Sequence, residues 1–290
     1  MAKKDLYSYY KSMIPNVIIG LFTFIVSILA KEKFLFILSI LWLLAPVVFW
    51  YISKEIKEKD AKEEIDDNDK EYLLKLGEKT WRFFKESLIE ENNYLPPDNY
   101  QVDRKDIFVD RTSSTNIGLG FLSVISSYDL KYENLEDTLI LLDKMIKTVE
   151  KLQMWNGHLY NWYNIKTLEP LHPRYISTVD SGNFVGYVYV LKQFYKNIKE
   201  QIENDQIELD LTKKEELLNL IPKWVELQID QIPFANADFS KLYDKEKGVF
   251  SIGFNIEEKK LTDSYYDLLA SEERQASLIA ISKKDVKPKH

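Results

Sequence analysis

Two long apolar segments near the amino terminus constrain the fold of this 290-residue chain more than any other feature. The segments are IPNVIIGLFTFIVSILA (14–30) and FLFILSILWLLAPVVFWYI (34–52), and neither contains a charged residue. Each approaches the length of about 20 residues that a helix needs to cross the hydrocarbon core of a bilayer. Only three residues, Lys31 to Lys33, separate them. Residues 1–52 are therefore predicted to form a transmembrane helical hairpin.

Two alternatives compete with the interpretation of these segments as a membrane hairpin. The first segment could be a cleavable secretory signal, but no small-residue cleavage site precedes the second apolar run. The pair could also be a buried hairpin of a soluble protein. Pro46 is expected to kink the second helix, which membrane helices tolerate. Seven Lys flank the two ends of the hairpin and two lie in its turn, which favours both termini in the cytoplasm.

The charge of the remaining chain restricts the partners that it can bind. Residues 1–62 contain nine Lys and five acidic residues, whereas the rest carries a net charge of −11. Such an acidic body argues against nucleic acid as a partner, because phosphate binding depends on Lys and Arg. The chain has no Cys, its three His are not at zinc-site spacing, and it lacks nucleotide-binding fingerprints. No metal and no cofactor is predicted.

The body has an alternating helical pattern. Residues 53–71 have few apolar side chains and predict a charged linker or the exposed start of a helix. Amphipathic segments then alternate with segments that are apolar on most sides, which predicts outer helices covering buried inner ones. The outer segments are 72–88, 134–152 and 211–232, the inner ones are 115–130 and 181–198, and the last helix is predicted at 263–282. Residues 248–261 predict a small β-hairpin.

This order predicts an all-α fold in which three helical hairpins, within 72–290, form part of an (α/α) toroid. Loops before the inner helices would line the mouth of a central pocket. The candidate ligand-binding residues in these loops are Asp110, Arg111, Asn161, Trp162, Asp180 and Asn183. The structural alternatives are that Ser177, Thr178 and Asp180 cap a helix, that Asp110 and Arg111 form a surface pair, and that Trp162 is core.

Several long motifs resemble one family, the cyclic β-1,2-glucan synthases, in their glycoamylase-like segment. The motifs are VDRTSSTNIGLGFLS (109–123), GHLYNWYNIKTLEPLHPRYISTVDSGN (157–183) and YYDLLASEERQASLIAISKKDV (265–286). LWLLAPVVFWYISKE (41–55) and TWRFFKESLIEENNYLPPDNYQ (80–101) resemble the membrane end and linker that precede that segment. The resemblance implies a large inner-membrane enzyme with a glycosyltransferase module, an (α/α)₆ domain that cyclises β-1,2-glucan by retaining transglycosylation, and a phosphorylase-like module.

On this resemblance the chain corresponds to the last membrane helices and the first three of six hairpins of the cyclisation domain. Its expected partners are β-1,2-glucan, a membrane and a chain carrying the remainder. Retaining chemistry needs two carboxyl groups about 5–5.5 Å apart, and we expect them outside this chain. The available carboxylates, Asp110, Asp180, Asp267, Glu272 and Glu273, are not assigned as catalytic, and the two glutamates are predicted within the last helix. A non-catalytic glucan-binding module and a decayed gene fragment are the alternative functions.

The hairpin topology is testable by cysteine labelling, because the chain has no Cys. With both termini in the cytoplasm, Glu32→Cys in the turn should react with an impermeant maleimide added to spheroplasts. Ser8→Cys should react only after permeabilisation. The opposite pattern would reverse the predicted orientation, and recovery of the chain outside the membrane fraction would contradict the membrane hairpin.

Overall fold

The computed structural model describes residues 5–53, 65–103, 105, 108–266 and 271–288. The chain divides into two compact units, Met1–Ile65 and Asp66–His290. The predicted linker largely falls between described segments, since residues 54–64 lie outside the described residues.

Within residues 5–53, the first unit forms three helices, α1 (Leu6–Ser12), α2 (Ile14–Ala30) and α3 (Lys33–Ile52). Helix α2 ends where Lys31 adopts a left-handed conformation, φ 56°, and α3 continues through Pro46. The two long helices pack together, and Gly20 permits close contact with Leu43. Helix α3 is long and apolar enough to cross a membrane. Helices α1 and α2 meet these criteria of length and composition only when taken together, and they are bent by 75° where they join. Most of their large apolar side chains are exposed.

The described residues of the second unit contain six α-helices. They are α4 (Asp67–Ser87), α5 (Ser114–Asp129), α6 (Leu135–Val149), α7 (Thr178–Glu203), α8 (Leu211–Asn219) and α9 (Arg274–Ser282). Helix α5 packs against α7, and α7 packs against α9, so these three form a continuous inner layer. Helices α4, α6 and α8 precede the three inner helices in turn. The predicted fold, a helical hairpin followed by part of an (α/α) ring, is confirmed.

Several helix boundaries differ from the predictions, and three of the differences have a local cause in the structure. Helix α4 begins inside the predicted linker, because the side chain of Asp66 caps it by accepting from the backbone N–H of Asp69 at 2.8 Å. Helix α8 stops at Asn219, and short 3₁₀ turns replace the predicted continuation past Pro222, which cannot donate a helical hydrogen bond. The last helix begins at Arg274 instead of residue 263, because residues 264–266 extend along the strands described next.

Nine short strands are described where the sequence predicted one β-hairpin. They are β1 (Arg111–Thr112), β2 (Met154–Trp155), β3 (His158–Leu159), β4 (Tyr163–Asn164), β5 (Tyr175–Ser177), β6 (Tyr243–Asp244), β7 (Val249–Phe250), β8 (Gly253–Asn255) and β9 (Lys260–Leu261). The predicted hairpin is therefore divided: β7 pairs with β6, and β8 pairs with β9. Strand β8 also pairs with β5, whose last residue leads directly into α7.

Close contact between α7 and α9 depends on glycine. A Cβ atom added at Gly182 would lie 2.5 Å from the Cα of Ala276, which is backbone and cannot rotate away. A Cβ added at Gly186 would instead meet Nε2 of Gln275, the mobile end of a side chain, at 2.0 Å. The two glycines, one turn apart on the same helix, therefore differ in how much a methyl group would disturb the packing.

This difference gives a matched pair of variants. Gly182→Ala should lower the free energy of unfolding by about 1–3 kcal/mol, because overpacking forces the two helices apart. Gly186→Ala should be neutral or stabilising by up to ~1 kcal/mol, because Gln275 can move and Ala favours a helix. Denaturant melts of both variants in detergent measure the difference. Equal melts would contradict the proposed backbone contact.

Candidate functional site

The starts of the first two inner helices lie side by side. Ser113 caps α5 by accepting from the backbone N–H of Asn116 at 3.2 Å, and Ser177 caps α7 by accepting from that of Asp180 at 3.2 Å. The side chain of Asn183, in α7, donates to Thr115 in the first turn of α5 at 3.2 Å. The loops that lead into these helices therefore end at the same place.

Asn161 and Asp180 are joined directly. Nδ2 of Asn161 donates to Oδ2 of Asp180 at 3.0 Å, and the backbone N–H of Asn161 donates to the carbonyl of Tyr175 at 2.8 Å. Asp180 lies in the first turn of α7, so the capping role belongs to Ser177. Among the described residues, the buried Oδ1 of Asn161 has no hydrogen-bond partner. A free buried acceptor is costly unless a donor reaches it, and a ligand hydroxyl is one such donor.

Arg111 covers one face of Trp162. Strand β1 pairs with β4 so that Arg111 lies opposite Asn164, and Trp162 directly precedes β4. The guanidinium carbon of Arg111 lies 4.5 Å from the centroid of the Trp162 ring, a cation–π contact. The ring is half-buried, and the peptide bond between Asn161 and Trp162 is cis. Trp162 is therefore not a fully buried core residue, and its ring is held in part by the contact with Arg111.

The acidic partner of Arg111 is Asp98, which the sequence analysis did not single out. Nη2 and Nε of Arg111 donate to Oδ2 of Asp98 at 2.9 and 3.3 Å. The alternative of a surface pair between Asp110 and Arg111 is not what the described residues show, because Arg111 pairs with Asp98. Asp110 is exposed, and within the described parts of the chain its side chain has no hydrogen-bond partner.

Two tyrosines that sequence reasoning missed, Tyr187 and Tyr266, lie near Asp180. Burial, followed by the negative charge of Asp180, raises the pKa of Tyr187. Burial, followed by the charges of Glu272 and other nearby groups including Tyr175, Asp180 and Glu273, raises the pKa of Tyr266 to about 12. Tyr187 lies two helical turns after Asp180 in α7, whereas Tyr266 is brought here by backbone hydrogen bonds between residues 264–266 and 250–252.

The glutamates of the SEER motif lie before the last helix and not within it. They end the 3₁₀ turn Ser271–Glu273, directly before α9. Glu272 is exposed as expected, whereas Glu273 is buried and accepts a hydrogen bond from Ser277. Asp267 lies outside the described residues. No cluster of three His, Cys, Asp or Glu within the described ranges could hold a metal ion.

A buried histidine, His158, forms a hydrogen bond with the first turn of α7. Nε2–H of His158 donates to the carbonyl oxygen of Asp238 at 2.9 Å, because a carbonyl can only accept. Nδ1 must then accept from the hydroxyl of Ser181, also at 2.9 Å. Burial lowers the pKa of His158 to about 4, so the ring is neutral at physiological pH. Ser181 is the neighbour of Asp180, so this bridge helps to fix the candidate site.

Comparison with known proteins first identifies the fold of the chain. No protein-family model matches the chain. The β-1,2-glucanase from Parabacteroides distasonis matches with a TM-score of 0.54 and 12% identity, over 73% of this chain and 27% of that one. The endo-β-1,2-glucanase from Chitinophaga pinensis, solved with sophorotriose and glucose, matches with a TM-score of 0.53 and 16% identity, over 73% and 47%. At these identities the likeness establishes an (α/α) fold of the glucoamylase type.

A match in amino-acid sequence then relates the chain to a particular kind of protein. The cyclic β-(1,2)-glucan synthase NdvB of Rhizobium meliloti is 37% identical over 150 residues, which are 52% of this chain. The resemblance to cyclic β-1,2-glucan synthases predicted from the motifs is confirmed over that half of the chain. The match spans only 5% of the length of this curated relative.

The buried His158 makes stability depend on pH. The unfolded chain binds a proton at this residue near pH 6.5, whereas the folded protein does so only near pH 4. Between these values the unfolded state binds more protons, so stability should fall by about 1.4 kcal/mol for each pH unit of acidification. Denaturant melts at several pH values measure how the free energy of unfolding depends on pH. His158→Gln should remove this contribution to the pH dependence, whereas His172→Gln, a change at an exposed histidine, should leave it in place. An imidazole signal of His158 that titrates near pH 6.5 in the folded protein would contradict the assignment.

Proposed function

We propose that this chain is the membrane-anchored, amino-terminal part of the cyclisation domain of a cyclic β-1,2-glucan synthase, and that it supplies glucan-binding loops. The observation that carries the proposal is the convergence of Asn161, Trp162 and Asp180 at the starts of the inner helices, with an unpartnered acceptor among them. The similarity to a cyclic β-(1,2)-glucan synthase and to β-1,2-glucanase folds supports the substrate class.

The proposed ligand is a neutral β-1,2-glucan or glucooligosaccharide. The apolar face of a pyranose ring would stack on the part of Trp162 that Arg111 leaves uncovered. Hydroxyl groups of the sugar would donate to Oδ1 of Asn161 and to the carboxylate of Asp180. Asn183 is engaged with Thr115, and Asp110 is exposed, so we place both at the edge of the ligand site.

Turnover is not assigned to this chain by itself. A retaining transglycosylase uses one carboxylate as a nucleophile and a second as acid and base. We propose that this pair lies on the remainder of the synthase. Under this proposal the described carboxylates bind sugar hydroxyls or stabilise helix starts, and none forms the glycosyl-enzyme bond.

Exposed apolar side chains on the inner helices suggest that further helices pack against them. Leu119 in α5, Val190 in α7 and Leu278 in α9 are 40%, 48% and 66% exposed, although inner helices of an (α/α) ring are normally covered. A groove of about 620 Å³ runs between α7 and α9, lined by Tyr189, Leu278 and their neighbours. We propose that helices carrying the rest of the ring cover this surface, either in the same polypeptide or in a partner chain.

The hairpin of α2 and α3 would anchor the assembly. Its exposed apolar surface suits lipid, and the Lys distribution favours a body on the cytoplasmic side of the inner membrane. This location is part of the proposal and would place the body where nucleotide-activated sugars are available.

The glucan-binding role is tested by calorimetry with linear β-1,2-glucooligosaccharides and the full chain in detergent. Trp162→Ala should weaken binding about tenfold, in line with a stacking contribution of about 1.4 kcal/mol. Asp180→Ala should weaken it as well, because a charged acceptor is lost. The control Tyr72→Ala removes an exposed ring from α4 and should leave the affinity unchanged.

The outcomes separate the alternatives. Wild-type binding without turnover, together with loss of binding in both site variants, would favour a binding module or a fragment that needs its partner. If Trp162→Ala and Asp180→Ala bind glucan as tightly as the wild type, these loops are not the glucan-binding site. Complete absence of binding by the wild-type chain would favour a fragment without function on its own.

A further inference from the structure

At most one face of the Trp162 indole ring is available to a ligand. The other face is occupied by the guanidinium of Arg111, 4.5 Å from the ring centroid. The guanidinium therefore lies over the Trp162 ring, and two of its N–H groups are already used by a carboxylate. Its contact with Trp162 limits the positions that the ring can adopt.

Arg111 is itself held in place by Asp98. Two of its N–H groups donate to the same carboxylate oxygen at 2.9 and 3.3 Å. The backbones of the two residues are also joined, because the N–H of Asp98 donates to the carbonyl of Arg111 at 2.8 Å. An ion pair between residues whose backbones are hydrogen-bonded needs little ordering of flexible chain, so its geometry is better defined than that of an isolated surface pair.

Asp98 is connected to the inner layer as well. Its second oxygen, Oδ1, accepts from Nδ2 of Asn116 in the first turn of α5 at 3.2 Å. The Asp98 side chain is 20% exposed, against 45% for Arg111. The carboxylate is therefore the inner, fixed end of the pair, and Arg111 extends from it across the ring of Trp162.

We infer that Asp98 is a positioning residue for the sugar-stacking face of Trp162, acting through Arg111. This inference rests on the proposed function, since it adds to it the group that orients the stacking ring. Asp98 would not contact the glucan. Its role would be to keep the indole ring at the angle that a pyranose of a β-1,2-glucan meets, so its loss should reduce affinity without unfolding the chain.

Two readouts test the inference on the full chain in detergent. The six Trp are labelled with 5-fluorotryptophan, and Trp162→Phe identifies the fluorine resonance of Trp162. Asp98→Ala should shift or broaden that resonance alone, and should weaken β-1,2-glucooligosaccharide binding about fivefold. Asp98→Glu, which keeps the charge, should restore part of both properties, and Arg111→Met should reproduce the effects of Asp98→Ala.

The control variant is Glu226→Ala. It breaks the exposed ion pair between Glu226 and Lys199, whose length of 2.8 Å is close to the 2.9 Å of the Asp98–Arg111 pair. This variant should change neither the Trp162 resonance nor the affinity. Thermal melts of all variants distinguish a lost orientation from a lost fold.

The results also separate this inference from the proposed function. If the wild type binds glucan and Asp98→Ala binds equally well with an unchanged Trp162 resonance, the positioning role is overturned while the glucan site stands. If the wild type binds no glucan, the proposed function fails and the stacking role fails with it, even where the resonance moves. Weaker binding with a shifted resonance and an unchanged melt supports the positioning role.

Discussion

The side-by-side packing of α5, α7 and α9 is the constraint on which the second unit depends. Helices whose starts lie together bring their unpaired N–H groups and the positive ends of their dipoles to one end of the layer. Ser113 and Ser177 satisfy some of these donors as caps. Asp180, within the first turn of α7, is favourably placed in the same field. The electrostatics of helix packing thus help to explain why polar and acidic groups gather at this end.

The same constraint explains why the candidate site is built from loops that are distant in sequence. Strands β1 and β4 bring Arg111 and Trp162 together, and β5 and β8 hold the segment that enters α7. Strands β1, β4 and β5 each bury a side chain, namely Thr112, Tyr163 and Ile176. The backbone hydrogen bonds of these short strands also give the connecting loops a defined path across the helix starts, which is what a binding surface requires.

Local signals were sufficient for much of the fold. The predicted segment 14–30 has the bounds of α2, and the alternation of amphipathic and apolar segments led to the correct partial ring. The last helix was misplaced because apolar spacing at 263–273 resembles a helix, whereas Ser264 and Tyr266 pair with residues of β7 and its following turn. In the candidate site, the sequence predicts Asn161 and Asp180 as parts of one site, and the structure shows a hydrogen bond between them. Asp98 and Tyr266 were not selected, because their neighbours are set by long-range pairing that no short motif encodes.

The pairing of β5 with β8 has a consequence for the order of folding. Ile176 and Phe254 face each other across the two strands, although they are about 80 residues apart in the chain. All six candidate residues precede β8, so they leave the ribosome before the strand that holds their loop in place. Closing such a long connection is slow compared with forming a helix. The site therefore cannot be complete before β8 has been synthesised, and a chain ending before Gly253 would contain every candidate residue without the strand that arranges them.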